Sequence, residues 1–421
     1  MADTTRDMLG RQGLTRVDEA LALLLDFLGQ TRPQTETVEL ALALDRITAE
    51  PIISTEDLPA HARSTMDGFA VQAVDTFGTS ESMPGYLTIA GEVTMGEQPT
   101  MVIDRGRCAR IATGGLLPQG TDAVIMLEHT VPIDGTMIEV VKAVGVGTNL
   151  IAPGEDIGKG NPAIPAGHLL RPQDLGLLAG LGIDHLKVYR RPSVGILSTG
   201  DEIVPFTDTP TPGKIRDINS ITLSGLIRRA GARAMDYGIV SDKKDHFFPA
   251  LEKAVSENDI VLFSGGSSVG MRDLGEQAIE ALGHPGILVH GVALKPGKPI
   301  IIGLTGSTPI FGLPGHPVSA MVCFDFFVGP TIRHLAGQAS RENLPQPVVT
   351  ARLARNINSA PGRRDLIRVQ LIKRENQWLA EPILGKSGAI STLSRAHGYF
   401  LIDENSQGLT KDTEVEVILY L

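Results

Sequence analysis

Hydrophobic positions along this chain change period several times, and each change predicts a different kind of structure. Residues 14–28 set Val17, Leu21, Leu24, Leu25 and Leu28 at helical spacing behind Thr15, which predicts an amphipathic helix with Thr15 as its N-cap. A second helical stretch is expected at about 36–46. From Leu58 to about Leu150 the pattern becomes short alternating runs, ARIA, DAVIML and MIEVVKAV, broken by Gly, Pro and Asp, and reads as a β-rich module. Helical spacing returns at 172–182, so the module is inserted within a helical segment. Between Arg191 and about Gly337 the strand candidates SVGILST, MDYGIV, DIVLF and GILVHGVAL alternate with helical stretches at 219–230, 244–257, 273–282 and 317–335. Such alternation predicts a parallel sheet with helices on both faces. After Ser340, VVTARLA, DLIRVQLIK, WLAEPIL and EVEVILYL fit a small β-barrel of about 80 residues.

Length and composition narrow the function classes. A chain of 421 residues holds roughly two to four domains, and its 47 Gly and 27 Pro are spread along it as turns rather than gathered in a disordered tract. The formal net charge of −10, with no block of Lys or Arg, argues against nucleic acid as a general partner. An anionic ligand would have to be held by local positive groups. Cys108 and Cys323 stand far apart without metal-ligand spacing, and no HxxxH or HExxH occurs, so neither a disulfide framework nor a zinc site is expected. The N-terminal stretch carries acids where a signal peptide would not, and no run approaches the ~20 apolar residues of a membrane span. A cytoplasmic location in a reducing compartment is the expectation, with no membrane partner.

Ligands of open α/β sheets bind beyond the carboxyl ends of the strands, where this chain collects its polar groups. DIVLF runs into SGGSSVG, in which Gly265, Gly266, Ser267 and Ser268 form a candidate anion cradle ahead of a helix, with Asp273 at the loop's exit. The loop has neither a GK[ST] ending nor G-x-G-x-x-G spacing, so it is not a standard nucleotide fingerprint. LSTGDEI places Asp201 and Glu202 after one strand and GIVSD places Asp242 after the next. With Asp273 these make three strand-end carboxylate positions suited to a divalent cation or to acid–base work, although an Asp-Glu pair after a strand is also an ordinary turn or helix start. LKPGKPI projects Lys295 and Lys298 from a loop stiffened by Pro296 and Pro299, a grip for a tetrahedral oxyanion. FGLPGHPVSA passes through Pro314 and Pro317 into a helix whose first turn carries Ser319 and aims N–H groups at a ligand. In the β-rich module, Asp67 of STMDGFA and Thr113 of ATGGLLPQG are polar positions in apolar surroundings, which turn chemistry also explains.

Taken together, MDGFA, ATGGLLPQGTDAVIM, GEDI, STGDEI, KIRDIN, GIVSD, SGGSSVGMRD, LKPGKP and GLPGHPVSA resemble, in order, the motifs of the MoeA family, the molybdopterin molybdenumtransferases that also supply the E domains of gephyrin. The likeness spans roughly residues 14–421. It implies a multidomain α/β plus β architecture in four parts. These are a small helical linking domain at 14–57 with 151–190, an inserted β-rich domain at 58–150, a MogA-like three-layer α/β/α domain at 191–337, and a C-terminal β-barrel at 341–421. It also implies an elongated homodimer and a Mg²⁺-dependent reaction that joins molybdate to adenylylated molybdopterin with release of AMP.

Carried over by this resemblance, Glu202, Asp242 and Asp273 handle metal and pyrophosphate, and Asp67 and Thr113 serve the cleft of the partner subunit. Gly265, Gly266, Ser267 and Ser268 hold phosphates. Lys295, Lys298, Pro299, Pro314, Pro317 and Ser319 take the molybdate side, completed from the barrel by Arg368 and Ser387. Asp156 matches as well, without an assignable role. The family implies contact with MogA-like and downstream nucleotide-adding proteins. One position departs: the family reads GLPGNP, and here His316 replaces the Asn. Either the helix start loses a good cap, or the imidazole touches the anion and adds pH dependence. Two other readings stay open: a non-catalytic carrier or gephyrin-like scaffold, and a MogA-type adenylylating enzyme, which would lack the inserted module and the barrel.

Overall fold

The structure is a computed structural model that describes residues 14–29, 33–265, 269–338 and 347–420. Its centre is a six-stranded mixed sheet in the order Arg233–Val240, Ser193–Thr199, Ile260–Gly265, Thr308–Leu313, Ile301–Thr305, Pro285–His290. The first four strands are parallel. Ile301–Thr305 runs antiparallel to both its neighbours. Strands buried on both faces read as continuous apolar runs, as SVGILST and IVLFSG do.

Helices cover both faces. On one side Leu223, Leu226 and Ile227 of Asn219–Arg229 share a core with Phe324, Phe327 and Ile332 of the continuous helical segment 317–335, which opens into a π-turn at Phe324–Val328. On the other side Phe247, Leu251 and Ala254 of Lys244–Glu257 pack with Ala278 and Ile279 of Val269–Leu282 against Phe263. Each such fully buried Leu, Ile or Phe contributes about 1.5–3 kcal/mol relative to exposure.

The first helix, Val17–Leu28, joins that same core through Val17, Ala20, Leu24 and Leu28, rather than a separate linking unit. Thr15 is not its cap. Arg16 holds that position without a side-chain bond, while Thr15 pairs with Val292 as an isolated bridge. The helix expected at 36–46 is also corrected: Thr35–Glu39 is a strand, antiparallel to His185–Tyr189, followed by a single 3-10 turn. The β-branched residues Thr35, Thr37 and Val38 suit a strand, and its cross-strand partner lies about 150 residues away, beyond the reach of a local window. Ile52–Ile53 likewise pairs with Pro162–Ile164, so this unit combines strand pairs with the helix Pro172–Gly180 around Ala43, Ile164, Leu170, Leu178 and Val188.

The β-rich module leaves this unit through the pairing of Arg63–Ser64 with Leu150–Ile151. It holds a six-stranded sheet in the order Ala123–Met126, Gly68–Val71, Arg107–Ile111, Gly85–Glu92, Met137–Val140, Thr130–Pro132. Apolar clusters cover both faces, one around Phe69, Val71 and Ile125 and one around Ala70, Ile111 and Val124.

After residue 347 five strands close into a barrel: Arg364–Arg374, Gln377–Pro382, Val348–Leu353, Glu414–Leu419, Gly398–Ile402 and back to Arg364–Arg374. A sixth strand joins this sheet from outside. Leu294–Lys295 pairs in parallel with Arg364 and Asp365, so the GILVHGVAL run is split, its first half in the central sheet and its end in the barrel sheet. Among the described residues no helix is long and apolar enough to cross a membrane.

Candidate active site

The stitch between central sheet and barrel encloses a cavity of about 500 Å³. Lys295, Lys298 and Pro299 line it from one loop, Pro314, His316 and Ser319 from the 313–319 connection, and Arg368, Lys386 and Ser387 from the barrel. Ile301 pairs with Gly312, so the start of one strand and the end of the next open on the same end of the sheet, bringing the two loops together. Gly265 also lines the cavity, but its lack of a side chain has a local cause: a Cβ there would lie 1.8 Å from the Thr199 carbonyl oxygen. Gly266, Ser267 and Ser268 lie outside the described residues.

Asp365, 1% exposed, organises the positive wall. It accepts a hydrogen bond from Arg363 Nε at 2.9 Å and pairs with Lys295 Nζ at 3.3 Å. Arg368 is buried, donates to Thr392 Oγ1 and to the Gly385 carbonyl at 3.3 Å, and keeps its Nε without a partner. Burial lowers its pKa, because the charged form loses solvation. Lys298 forms no ion pair among the described residues. An unopposed ammonium, a desolvated guanidinium and two serines therefore face one space.

Two predicted members take different places. Pro317 is buried at the first position of its helix and does not line the cavity; its fixed φ and missing N–H suit that position, so its part is structural. The N–H of Val318 donates to the Ser387 carbonyl at 3.2 Å, so this group of the helix start is already satisfied by the barrel. His316 caps the helix by position but makes no side-chain cap bond, and its Nδ1 lies 2.9 Å from Ser387 Oγ. Asp365 and Arg363 were missed by sequence reasoning. An Asp in the interior of the apolar barrel strand RDLIRV was the available signal.

The acids occupy the carboxyl ends of the first strands of the same sheet. Asp242 follows Arg233–Val240, and Asp201 and Glu202 follow Ser193–Thr199. Burial pushes the Asp242 carboxyl up to about 6, assisted by the charges of Asp201 and Glu202, and its Oδ1 is buried without a partner. Nearby, Ser198 Oγ, Thr199 Oγ1 and Ser264 Oγ are also buried and unpartnered. Asp273 is not at a loop exit: its helix begins at Val269, and the residue is exposed beyond the first turn. Among the described residues no three His, Cys, Asp or Glu side chains are arranged to hold a metal by themselves.

Asp67 and Thr113 are brought together within the inserted module. The Asp67 carboxylate accepts from the Thr113 N–H at 2.7 Å and from its hydroxyl at 2.9 Å, and these bonds hold its pKa below the usual carboxylate value. Neither residue lines the cavity of its own chain.

Three family models match in succession: "MoeA N-terminal region (domain I and II)" over residues 15–182, "Probable molybdopterin binding domain" over 195–334, and "MoeA C-terminal region (domain IV)" over 350–420. The molybdopterin molybdenumtransferase of Haemophilus influenzae is 37% identical over 338 residues, covering 80% of this chain and 81% of that one. That of Bacillus subtilis is 31% identical over 417 residues, covering 98% and 95%. The crystal structure of the molybdopterin biosynthesis MoeA protein of Pyrococcus horikoshii superposes with a TM-score of 0.82 at 33% identity, covering 97% of this chain and all of that one. The chain belongs to the MoeA family. Its fold is the multidomain MoeA arrangement of an α/β molybdopterin-binding domain, a β-rich domain and a five-strand barrel. By homology it is a molybdopterin molybdenumtransferase of molybdenum cofactor biosynthesis.

Proposed function

We propose that this MoeA protein transfers molybdate to adenylylated molybdopterin with release of AMP, and that the sheet–barrel cavity is its oxyanion site. The observation that carries this is the convergence of Lys298, Lys295, Arg368, Ser319 and Ser387 on one space of about 500 Å³. The reaction forms two bonds from dithiolene sulfur to molybdenum as one oxo group of molybdate leaves as water with the two dithiol protons, and water cleaves the phosphoanhydride to molybdopterin phosphate and AMP, so one site must hold an oxyanion and another a pyrophosphate. Lys298 and Arg368 would hold molybdate by charge, while Asp365 fixes Lys295 in direction. The strand-end hydroxyls of Ser198, Thr199 and Ser264 would face the phosphates, with Gly265 beside them.

The residues at the acidic end fit a hard divalent cation such as Mg²⁺: Asp242 presents a buried, unpartnered oxygen beside Asp201 and Glu202. Glu202, Asp242 and Asp273 would hold the ion together with phosphate oxygens of the substrate. When bound, the ion screens the pyrophosphate charge. Asp67 and Thr113, bonded to each other and exposed, would act on the partner subunit's cleft in a homodimer.

The test is AMP release by the purified chain given adenylylated molybdopterin, Mg²⁺ and molybdate, with Lys298→Ala and Asp242→Ala alongside. Molybdate-dependent release that both variants lose supports the transferase. Tight pterin binding without release under any divalent cation would replace it with the carrier or scaffold reading.

A further inference from the structure

A second cavity, of about 440 Å³, shares no lining residue with the first. It lies where the strand-paired unit meets two helix ends of the α/β domain, and six arginines line it: Arg46, Arg190, Arg191, Arg228, Arg229 and Arg333. In a chain of net charge −10 this is a pronounced local excess of positive charge.

Helix chemistry accounts for part of it. Arg228 and Arg229 stand in the last turn of Asn219–Arg229 and Arg333 in the last turn of Gly329–Leu335, where the helix dipole favours cations. It does not account for the other three, which come from the 45–47 and 189–191 segments. Arg46 is 8% exposed, donates to Glu36 and to the Tyr189 carbonyl, and still has a buried Nε with no partner. Arg191 likewise has a buried, unpartnered Nε and no ion pair among the described residues. A buried guanidinium N–H without a protein acceptor costs about 1–3 kcal/mol, which an oxyanion bound in the cavity would offset.

Carboxylates already engage several of these arginines. Among the described residues, Asp45 lines the cavity, Glu36 pairs with Arg46, Asp259 pairs with Arg190, and Asp325 interacts with Arg229 and Arg333. Arg191 and Arg228 form no ion pair among the described residues, and two guanidinium groups without a carboxylate partner complement a dianionic oxyanion. Planar guanidinium forks suit a phosphate-like oxyanion, and the volume exceeds that of a bare tetrahedral ion.

We infer that this cleft is a second anion site, binding a small molecule that carries one dianionic oxyanion group of the phosphate class. Free oxyanion and nucleotide phosphate share that chemistry, so three probes separate the sources: inorganic phosphate, molybdate and AMP, titrated calorimetrically at low ionic strength. The first cavity is weakened by using Lys298→Ala as the parent, and the arginine substitutions made on it report the second cavity alone. At least one probe should bind that variant, and adding Arg191→Ala with Arg228→Ala should weaken it by about tenfold or more. Binding of phosphate or molybdate alone marks a free-ion site, and preference for AMP marks a nucleotide site. Because Arg191 is partly buried, Arg228→Ala alone and the charge-keeping Arg191→Lys control for folding: the first should lose several-fold affinity and the second should keep most of it. The inference is overturned if no probe binds Lys298→Ala, or if the arginine variants bind as their parent does.

Discussion

The two charged regions at the top of the central sheet are finished to different degrees. In the sheet–barrel cavity three positive groups are already held, Lys295 and Arg363 by Asp365 and Arg368 by Thr392 and Gly385, leaving Lys298 for a ligand. At the other half of the sheet Asp201, Glu202 and Asp242 repel one another, and Asp242 is left with a buried oxygen that nothing satisfies. The first region is preorganised for an anion by the folded chain alone. The second is a destabilising cluster that a cation would relieve, so function and stability should separate differently in the two places.

The largest effect expected from breaking this contrast is at Asp242. Asp242→Asn should lower AMP release by about 10²–10³-fold, the scale for losing one preorganised electrostatic group, while the melting temperature stays level or rises. A parallel loss of melting temperature would mean that Asp242 is structural and the contrast false. The pH dependence follows the same sign. Its folded pKa, about 6, lies above the ordinary 3.8, so the folded state binds the proton more tightly. Its contribution to stability is then fullest below the unfolded value and is lost as pH rises through about 6. Urea midpoints measured without divalent cation should fall across that window, Mg²⁺ should offset the fall, and Asp242→Asn should flatten it.

Arg368→Ala should behave in the opposite manner, losing both properties. Thr392 and the Gly385 carbonyl lose their partner, at a cost of about 1–3 kcal/mol, and oxyanion affinity should drop by about 10–100-fold. Arg368→Lys would restore the charge but not the two-pronged geometry, so affinity should recover more than stability does. Calorimetric binding with a thermal melt on each variant separates the two.

The contrast also tells what was legible in the sequence. Ser193–Thr199, Asn219–Arg229 and Lys244–Glu257 fall where their periods place them, because apolar runs and apolar stripes are local signals. The local pattern predicts helix over Thr35–Glu39 because its strand identity depends on His185–Tyr189, far along the chain. The split of GILVHGVAL has the same origin, since only the barrel gives Leu294–Lys295 a partner. Among site residues, Lys295, Lys298, Pro314, Ser319, Arg368 and Ser387 meet in one cavity, whereas Pro317 stays in the helix core. Asp365 escaped notice because its worth lies in which cations it meets, information that resides in the fold.

Asp67 and Thr113 offer a sharper test of whether the acidic half is completed from another subunit. An Asp67→Ala chain and an Asp242→Asn chain are each expected to be nearly inactive. If sites are shared across a homodimer, refolding the two together should restore about a quarter of wild-type activity, because half the dimers are mixed and each mixed dimer has one intact site. Mixtures no better than the separate variants would place Asp67 in the fold of its own module. Thr113→Val should have a milder effect, removing the hydroxyl bond and keeping the backbone one.

The smallest expected effect belongs to His316. Its imidazole does not cap the helix and instead meets Ser387, while the cap's structural duty is shared by the Ser387 carbonyl on Val318 N–H and by Pro317. His316→Asn would gain a cap bond of about 0.5–2 kcal/mol and lose a bond to Ser387 of about 0.5–1.5 kcal/mol, so the melting temperature should barely move. Because the imidazole is exposed on the cavity wall, a functional part would appear as a change in oxyanion affinity. Equal molybdate affinity in variant and wild type would leave His316 as a tether between sheet and barrel. Weaker binding by His316→Asn would instead make the imidazole a ligand-side member of the positive half, a role that the cap bond gained by Asn does not replace.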